Sequence, residues 1–214
     1  MKTCDIIVTM NYWLLLLLTL IYTLPSKASW FPKSPLLKKA YSQAIDNISP
    51  LSPIAVKEAF QFYEQKRAKD KLRDDYLAVV DFSLKSTTKR LALIDLKNGN
   101  IEFFKVSHGK GSDLNHDTVA DKLSSKESSN ATPPGFHKMG VTYRGQHGLS
   151  LRMHGLEDRN KTSFKRLIVL HGAKYVSWKH TGRSKGCPAV ENKHTKYIID
   201  KLKNGGLFYH YFKP

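Results

Sequence analysis

The sequence has almost no cysteine, with Cys4 and Cys187 alone among 214 residues. Cys4 lies inside residues 1–28, which read as an export signal. Cys187 is then the sole thiol of the mature chain, which excludes an internal disulfide framework. Acidic residues are scarce too: 18 Asp and Glu stand against 35 Lys and Arg, a formal charge of +17. That excess either solubilises the surface or draws the chain to an anionic envelope surface, without conferring specificity. Helix-turn-helix, zinc-knuckle and aromatic-glycine RNA-binding patterns are missing, so no nucleic-acid partner is expected. There is no Gly-rich phosphate loop and no internal repeat. His154, His171 and Cys187 are the residues available to a zinc ion, but no close-spaced ligand pair with an acidic partner accompanies them. No metal or cofactor is expected.

At 41% hydrophobic and 11% aromatic residues the chain can bury a core, and its length suits one ordinary domain with some decoration. Lys2 precedes an apolar run from Tyr12 to Leu24, and Ser26 and Ala28 suit cleavage after Ala28. Residues 1–28 therefore read as a signal peptide, with an uncleaved membrane anchor as the alternative. Either way the rest of the chain is expected to be exported, to the periplasm or cell envelope of a bacterium.

Residues 29–75 read as short helices. Ser34-Pro35 and Ser52-Pro53 each place a capping hydroxyl before a proline suited to a first helical turn. Ala55, Val56, Ala59, Phe60, Phe62 and Tyr63 recur at helical spacing. From Tyr76 to the end at 214 the texture is that of short strands. Runs at 76–80, 91–94, 101–106, 149–153, 167–170 and 207–212 are of strand length, and Asn98-Gly99 marks a tight hairpin. Residues 111–135 are polar and read as a long surface loop, and a helix is expected over 191–203. The expected class is mainly β (α+β), a sandwich or barrel preceded by short N-terminal helices.

Chemistry concentrates at His171-Gly172-Ala173 and at Gly182-Arg183-Ser184-Lys185-Gly186-Cys187-Pro188. A thiolate is the reactive form of cysteine, and an imidazole with nearby cations favours it. Arg183 and Lys185 are the cations nearest in sequence, and backbone N–H groups at Gly186 and Cys187 suit an oxyanion hole. These features fit a nucleophile. A buried spectator thiol and a redox thiol also fit, although no second cysteine is present to resolve an oxidised form.

At these residues the chain resembles the YkuD-type L,D-transpeptidase catalytic domain. Val169-Leu170-His171-Gly172-Ala173 and Ser184-Lys185-Gly186-Cys187 are similar to its HG…S-x-G-C signature. Gly182 to Val190 resembles more closely the murein branch that carries GRSxGCPA. The likeness extends through 107–111 and 143–152 and covers roughly 76–214. It implies an L,D-transpeptidase-like β-rich fold and a cysteine acyltransferase acting on peptidoglycan stem peptides. Cys187 would be the nucleophile, His171 the base, and the Gly172 carbonyl the group orienting the imidazole. A thioester would pass to an amine; water as acceptor would give an L,D-carboxypeptidase or endopeptidase. A non-catalytic wall-binding module is the reading from another class. Two positions depart from the family pattern: Lys185 stands where a histidine is usual, and Ala189 where an arginine is usual. Arg183 and Arg152 are then candidates to bind substrate, His154 to line the cleft, Ser184 to orient the thiol or the substrate or to cap the turn, and the loop holding Trp178 and His180 to form a lid.

Overall fold

The structure, a computed structural model, describes residues 30–213; the expected signal or anchor lies outside them. Among the described residues no helix is long and apolar enough to cross a membrane. Helices α1 (Pro35–Asp46) and α2 (Pro53–Lys66) begin at the anticipated prolines. The serine hydroxyls cap neither helix. Carboxylates from elsewhere take the free N–H groups instead: Glu64 accepts from Lys33 and Ser34, and Asp81 from Ser52 at 2.9 Å. Caps supplied across the fold are invisible to a local reading.

The strands are β1 (Tyr76–Asp81), β2 (Leu91–Asp95), β3 (Ile101–Phe104), β4 (Gly135–Gly145), β5 (Gly148–Gly155), β6 (Val169–Ala173), β7 (Ala189–Glu191) and β8 (Leu207–Tyr211). They form one sheet in the order β3-β2-β1-β8-β4-β5-β6-β7. The sheet curls until its ends meet: Val106, just past β3, bridges Val190, and the Ser107 N–H donates to the Ala189 carbonyl at 2.8 Å. The result is the near-barrel, mainly β fold expected from the sequence. Helix α3 (Asn192–Leu202) buries Ile198, Ile199 and Leu202 against the interior formed by Val80, Leu93, Leu151, Leu170 and Phe208. Each such side chain taken fully from water contributes roughly 1.5–3 kcal/mol. Strand β1 is apolar throughout because Ala78 and Val80 point into this core while Leu77 and Val79 are buried on the other face.

The β2–β3 hairpin turns where Asn98-Gly99 predicts. Only Gly99 takes positive φ, +78°, and a Cβ there would lie 2.3 Å from the Ala40 carbonyl of α1, so the turn is both tight and pressed on a helix. The expected 111–135 surface loop folds inward instead, with Ser112, Asp113, Ala131 and Thr132 completely buried. Strand β4, eleven residues long, escapes the sequence reading. Its pairing with β5 shifts between Met139 and Thr142, and this irregularity, with His137 and Lys138 among the apolar positions, erases the alternation. Strand β6 starts two residues later than the apolar run, because Leu167 adopts φ +56°.

Two histidines in this frame make it acid-sensitive. His137 on β4 and His210 on β8 pack 4.6 Å apart and are fully buried. Their Nδ1–H groups donate to the Gly135 and Pro133 carbonyls. Burial lowers the pKa of His210 to about 4 and that of His137 well below the ordinary value. The unfolded chain therefore binds protons first as pH falls below about 6.5. Stability is undiminished above that pH and declines as pH drops towards 4, by about 2 kcal/mol at pH 5 for His210, with His137 acting in the same direction. Urea midpoints at pH 7 and pH 5 check this; equal midpoints would contradict it.

Candidate active site

Strand pairing brings the two sequence motifs together. Strands β6 and β7 run parallel with His171 opposite Ala189, and the His171 N–H donates to the Pro188 carbonyl at 3.4 Å. The cysteine loop thus enters the sheet beside the histidine strand. Cys187 is half-buried and His171 is 1% exposed.

The imidazole has one tautomer. Its Nδ1 lies 2.9 Å from the Gly172 carbonyl, which can only accept, so Nδ1 carries the proton and Nε2 keeps a lone pair. His147, from the β4–β5 turn, stacks on the ring at 4.2 Å and 19°. Burial, with the nearby His147, holds the His171 pKa below its ordinary value; the Gly172 bond opposes this. His171 is accordingly a neutral base at neutral pH. Burial also raises the Cys187 thiol, against the Val169 N–H and the Arg166 charge. The resting sulfur is a thiol, and among the described residues its hydrogen bond goes to the Leu167 carbonyl at 3.7 Å.

The loop is shaped by Ser184 and Gly186. The Ser184 hydroxyl donates to the Cys187 carbonyl at 2.6 Å and accepts from the Gly186 N–H at 3.0 Å. Gly186 has φ +121°, and a Cβ there would meet the Ala131 carbonyl at 2.8 Å, so glycine is required. The Gly186 N–H is thereby occupied by Ser184, contrary to the oxyanion role expected of it. The Cys187 N–H has no acceptor among the described residues and remains the candidate donor.

A buried polar chain supports this loop from beneath. Arg90, fully buried, donates to the Leu84 and Val106 carbonyls and to His108 Nδ1 at 2.9 Å. His108 Nε2–H donates in turn to Asp113 at 3.0 Å. The His108 carbonyl accepts the Ser184 N–H at 2.8 Å, tying the chain to the cysteine loop. Burial, then the Arg90 charge, lowers the His108 pKa to about 4, so that imidazole is neutral. Arg90 is pushed by burial to about 9 and stays charged at neutral pH.

The other sequence candidates lie as follows. Arg183 donates to the Asp113 carbonyl and acts on the buried chain, not on the thiol as expected. The Arg152 guanidinium sits over Tyr143 at 4.6 Å, and His154 stacks on Phe164 at 4.6 Å. Both share a sheet face with His171, since Arg152 pairs with Val169 and Ser150 with His171. Lys185 is exposed and borders a polar depression with Arg166. Trp178 is 75% exposed, within a hairpin closed by the Val176–Thr181 bridge. Ala189 is wholly buried in a small apolar cluster with Ala173 and Val176. A separate cleft between α2 and β8, lined by Phe62, Phe136 and Tyr209, contains neither Cys187 nor His171.

Sequence reasoning missed Arg166, His147, Arg90 and Asp113. Arg166 is twenty-one residues from Cys187, so proximity along the chain could not select it. His147 and His108 lie in the stretches that carried the family likeness, which was the signal available for them.

A family model described as L,D-transpeptidase catalytic domain matches residues 48–211. No curated protein sequence matches the chain. Among solved structures, the helical cell shape determining protein Pgp2 of Campylobacter jejuni is 17% identical, with a TM-score of 0.43 over 66% of this chain and 49% of its own. Bd1075 of Bdellovibrio bacteriovorus is also 17% identical, TM-score 0.41, over 64% of this chain and 48% of its own. The L,D-transpeptidase of Xylanimonas cellulosilytica is 15% identical, TM-score 0.40, over 81% and 78%. The chain spans about half the length of the first two.

Proposed function

Because the chain belongs to the L,D-transpeptidase catalytic-domain family, we propose that it is an exported cysteine acyltransferase of the cell envelope acting on peptidoglycan stem peptides. The observation that carries this reading is the fixed, neutral His171, with Nδ1 engaged by Gly172 and Nε2 unprotonated, on the strand beside the Cys187 loop.

In the proposed reaction the carbonyl of the L-configured centre of a diamino acid enters beside Cys187. His171 Nε2 takes the thiol proton as sulfur bonds to the carbonyl carbon. The Cys187 N–H faces the developing oxyanion. Collapse breaks the C–N bond to the terminal D-residue, and the imidazolium returns its proton to the leaving amine. An acceptor amine then loses a proton to His171, attacks the thioester and releases the thiol. Water in place of the amine would release a free acid by the same steps.

Intact mass after incubation with a tetrapeptide, third residue a diamino acid and fourth a D-amino acid, tests the reading. The expected product is an adduct on Cys187 whose added mass equals that of the peptide less the free terminal amino acid released. Unchanged mass together with retained wall binding would favour a non-catalytic module. Product analysis with and without an added amine separates transfer from hydrolysis.

The pKa directions give a pH signature. Acylation should persist below pH 6.5, because burial keeps His171 unprotonated there, and fall only as pH drops through its lowered pKa. Iodoacetamide, which needs pre-formed thiolate, should react slowly at pH 7 and faster only above about pH 9, the ordinary value that burial raises. A thiol alkylated rapidly at pH 6 would show instead a standing thiolate–imidazolium pair.

A further inference from the structure

One cation beside the nucleophile has no carboxylate of its own. Arg166 sits between the η1 turn (Asp158–Asn160) and β6. Its Nη1–H donates to the Ser124 carbonyl at 2.9 Å and its Nη2–H to the Ala131 carbonyl at 2.8 Å. Two backbone carbonyls and, at 3.4 Å, the Ser129 hydroxyl therefore fix the guanidinium, and its Nε–H has no acceptor among the described residues. Nη2 lies 3.3 Å from the point where a Gly186 Cβ would stand, which puts the charge one residue from Cys187.

The depression around it is lined by Glu127, Ser128, Asn130, Lys165, Arg166 and Lys185. Its one carboxylate, Glu127, is held by Lys165 at 2.7 Å. Arg166 and Lys185 make no ion pair among the described residues, so two unneutralised cations border a polar hollow beside the reactive loop. A fixed guanidinium with spare N–H groups recognises a planar carboxylate better than a mobile ammonium does.

We propose that Arg166, with Lys185 beside it, forms the subsite that binds a free carboxylate of the peptide substrate next to the attacked carbonyl. This rests on the acyltransferase reading above. The carboxylate is either the C-terminus of the terminal D-residue or a side-chain carboxylate of the diamino acid, and amidated peptides tell them apart.

Binding is measured apart from chemistry, by calorimetry on the full chain carrying Cys187→Ala. Three tetrapeptides are titrated: the free acid, its C-terminal amide, and a form with the diamino acid's side-chain carboxylate amidated. The amide that lacks the recognised carboxylate should bind tenfold or more weakly than the free acid, the size expected for a lost charge-assisted hydrogen bond. Arg166→Gln should impose the same loss on the free acid while leaving that amide unchanged, and Arg166→Lys should restore part of it. If Arg166→Gln fails to fold, judged by its melting transition, Lys185→Gln on the exposed rim decides. It should weaken the free acid about threefold and spare the amide.

Equal affinity for acid and both amides overturns the proposal, as does an equal loss on acid and amide in the variants. An Arg166→Gln effect confined to the pH dependence of thiol alkylation also overturns it, since the guanidinium would then serve the sulfur. The outcomes separate the two readings. A Cys187 adduct without acid selectivity sinks the subsite alone, whereas acid-selective binding without an adduct sinks the thioester alone.

Discussion

Cys187→Ser is expected to abolish thioester formation and turnover, and His171→Ala to lower acylation by 10²–10⁴-fold at neutral pH. Cys187→Ser should stay within about 1–2 kcal/mol of the parent in stability, and His171→Ala should stay folded but lose about 2–4 kcal/mol to the cavity left by a buried ring. The serine replaces a half-buried thiol with a slightly smaller group that can still donate to the Leu167 carbonyl. The histidine variant loses the stack with His147 and the bond to Gly172 but breaks no ion pair. Two details make the test sharp. Since burial raises the thiol pKa, little thiolate exists at neutral pH without a base. Activity of His171→Ala should therefore recover as pH rises past about 9, whereas Cys187→Ser should stay silent at every pH. Full activity of His171→Ala at pH 7 would remove histidine from the mechanism.

The pair proposed for catalysis drew attention in the sequence because each member has a local signature. His171 follows an apolar run and sits in the middle of β6, and Cys187 follows a glycine that takes positive φ. What could not be read is how the fold supports them. Arg183 and Lys185 were chosen for nearness in sequence, yet the charge beside Gly186 comes from Arg166 in a loop joining other elements. Gly186 was assigned an exposed N–H, but the Ser184 hydroxyl two residues earlier turns back and consumes it. The same limit applies to the fold. Hairpin and helix starts are set by residues within the element, so Gly99, Pro35 and Pro53 announced them. Strand β4 is a strand because of its neighbours: β8 pairs with Gly135 to Lys138, β5 with His137 to Gly145, and a bulge after Met139 lets it bend.

The buried chain under the loop gives the second large expected effect. Asp113→Ala should destabilise the protein by about 2–4 kcal/mol, the cost of stranding buried donors and removing one of two carboxylates that offset a buried charge. For a domain of this size that corresponds to a melting temperature lower by roughly 10 °C. Arg90 is wholly enclosed, and Asp113 with Asp81 supplies the negative charge that offsets it. Asp113 also accepts from His108 Nε2–H and from the Thr118 N–H. Truncation strands those donors and removes one of Arg90's two compensating carboxylates. Asp113→Asn should cost less, because an amide oxygen still accepts from His108 while only the charge is lost. The functional consequence follows from the carbonyl that His108 offers Ser184. Ser184 shapes the turn carrying Cys187, so Asp113→Ala should slow acylation even well below its melting point. Denaturant unfolding and the acylation rate, measured on the same preparations at 15 °C, check both halves. A variant that loses stability but acylates at the parental rate would confine the Arg90–His108–Asp113 chain to holding the fold.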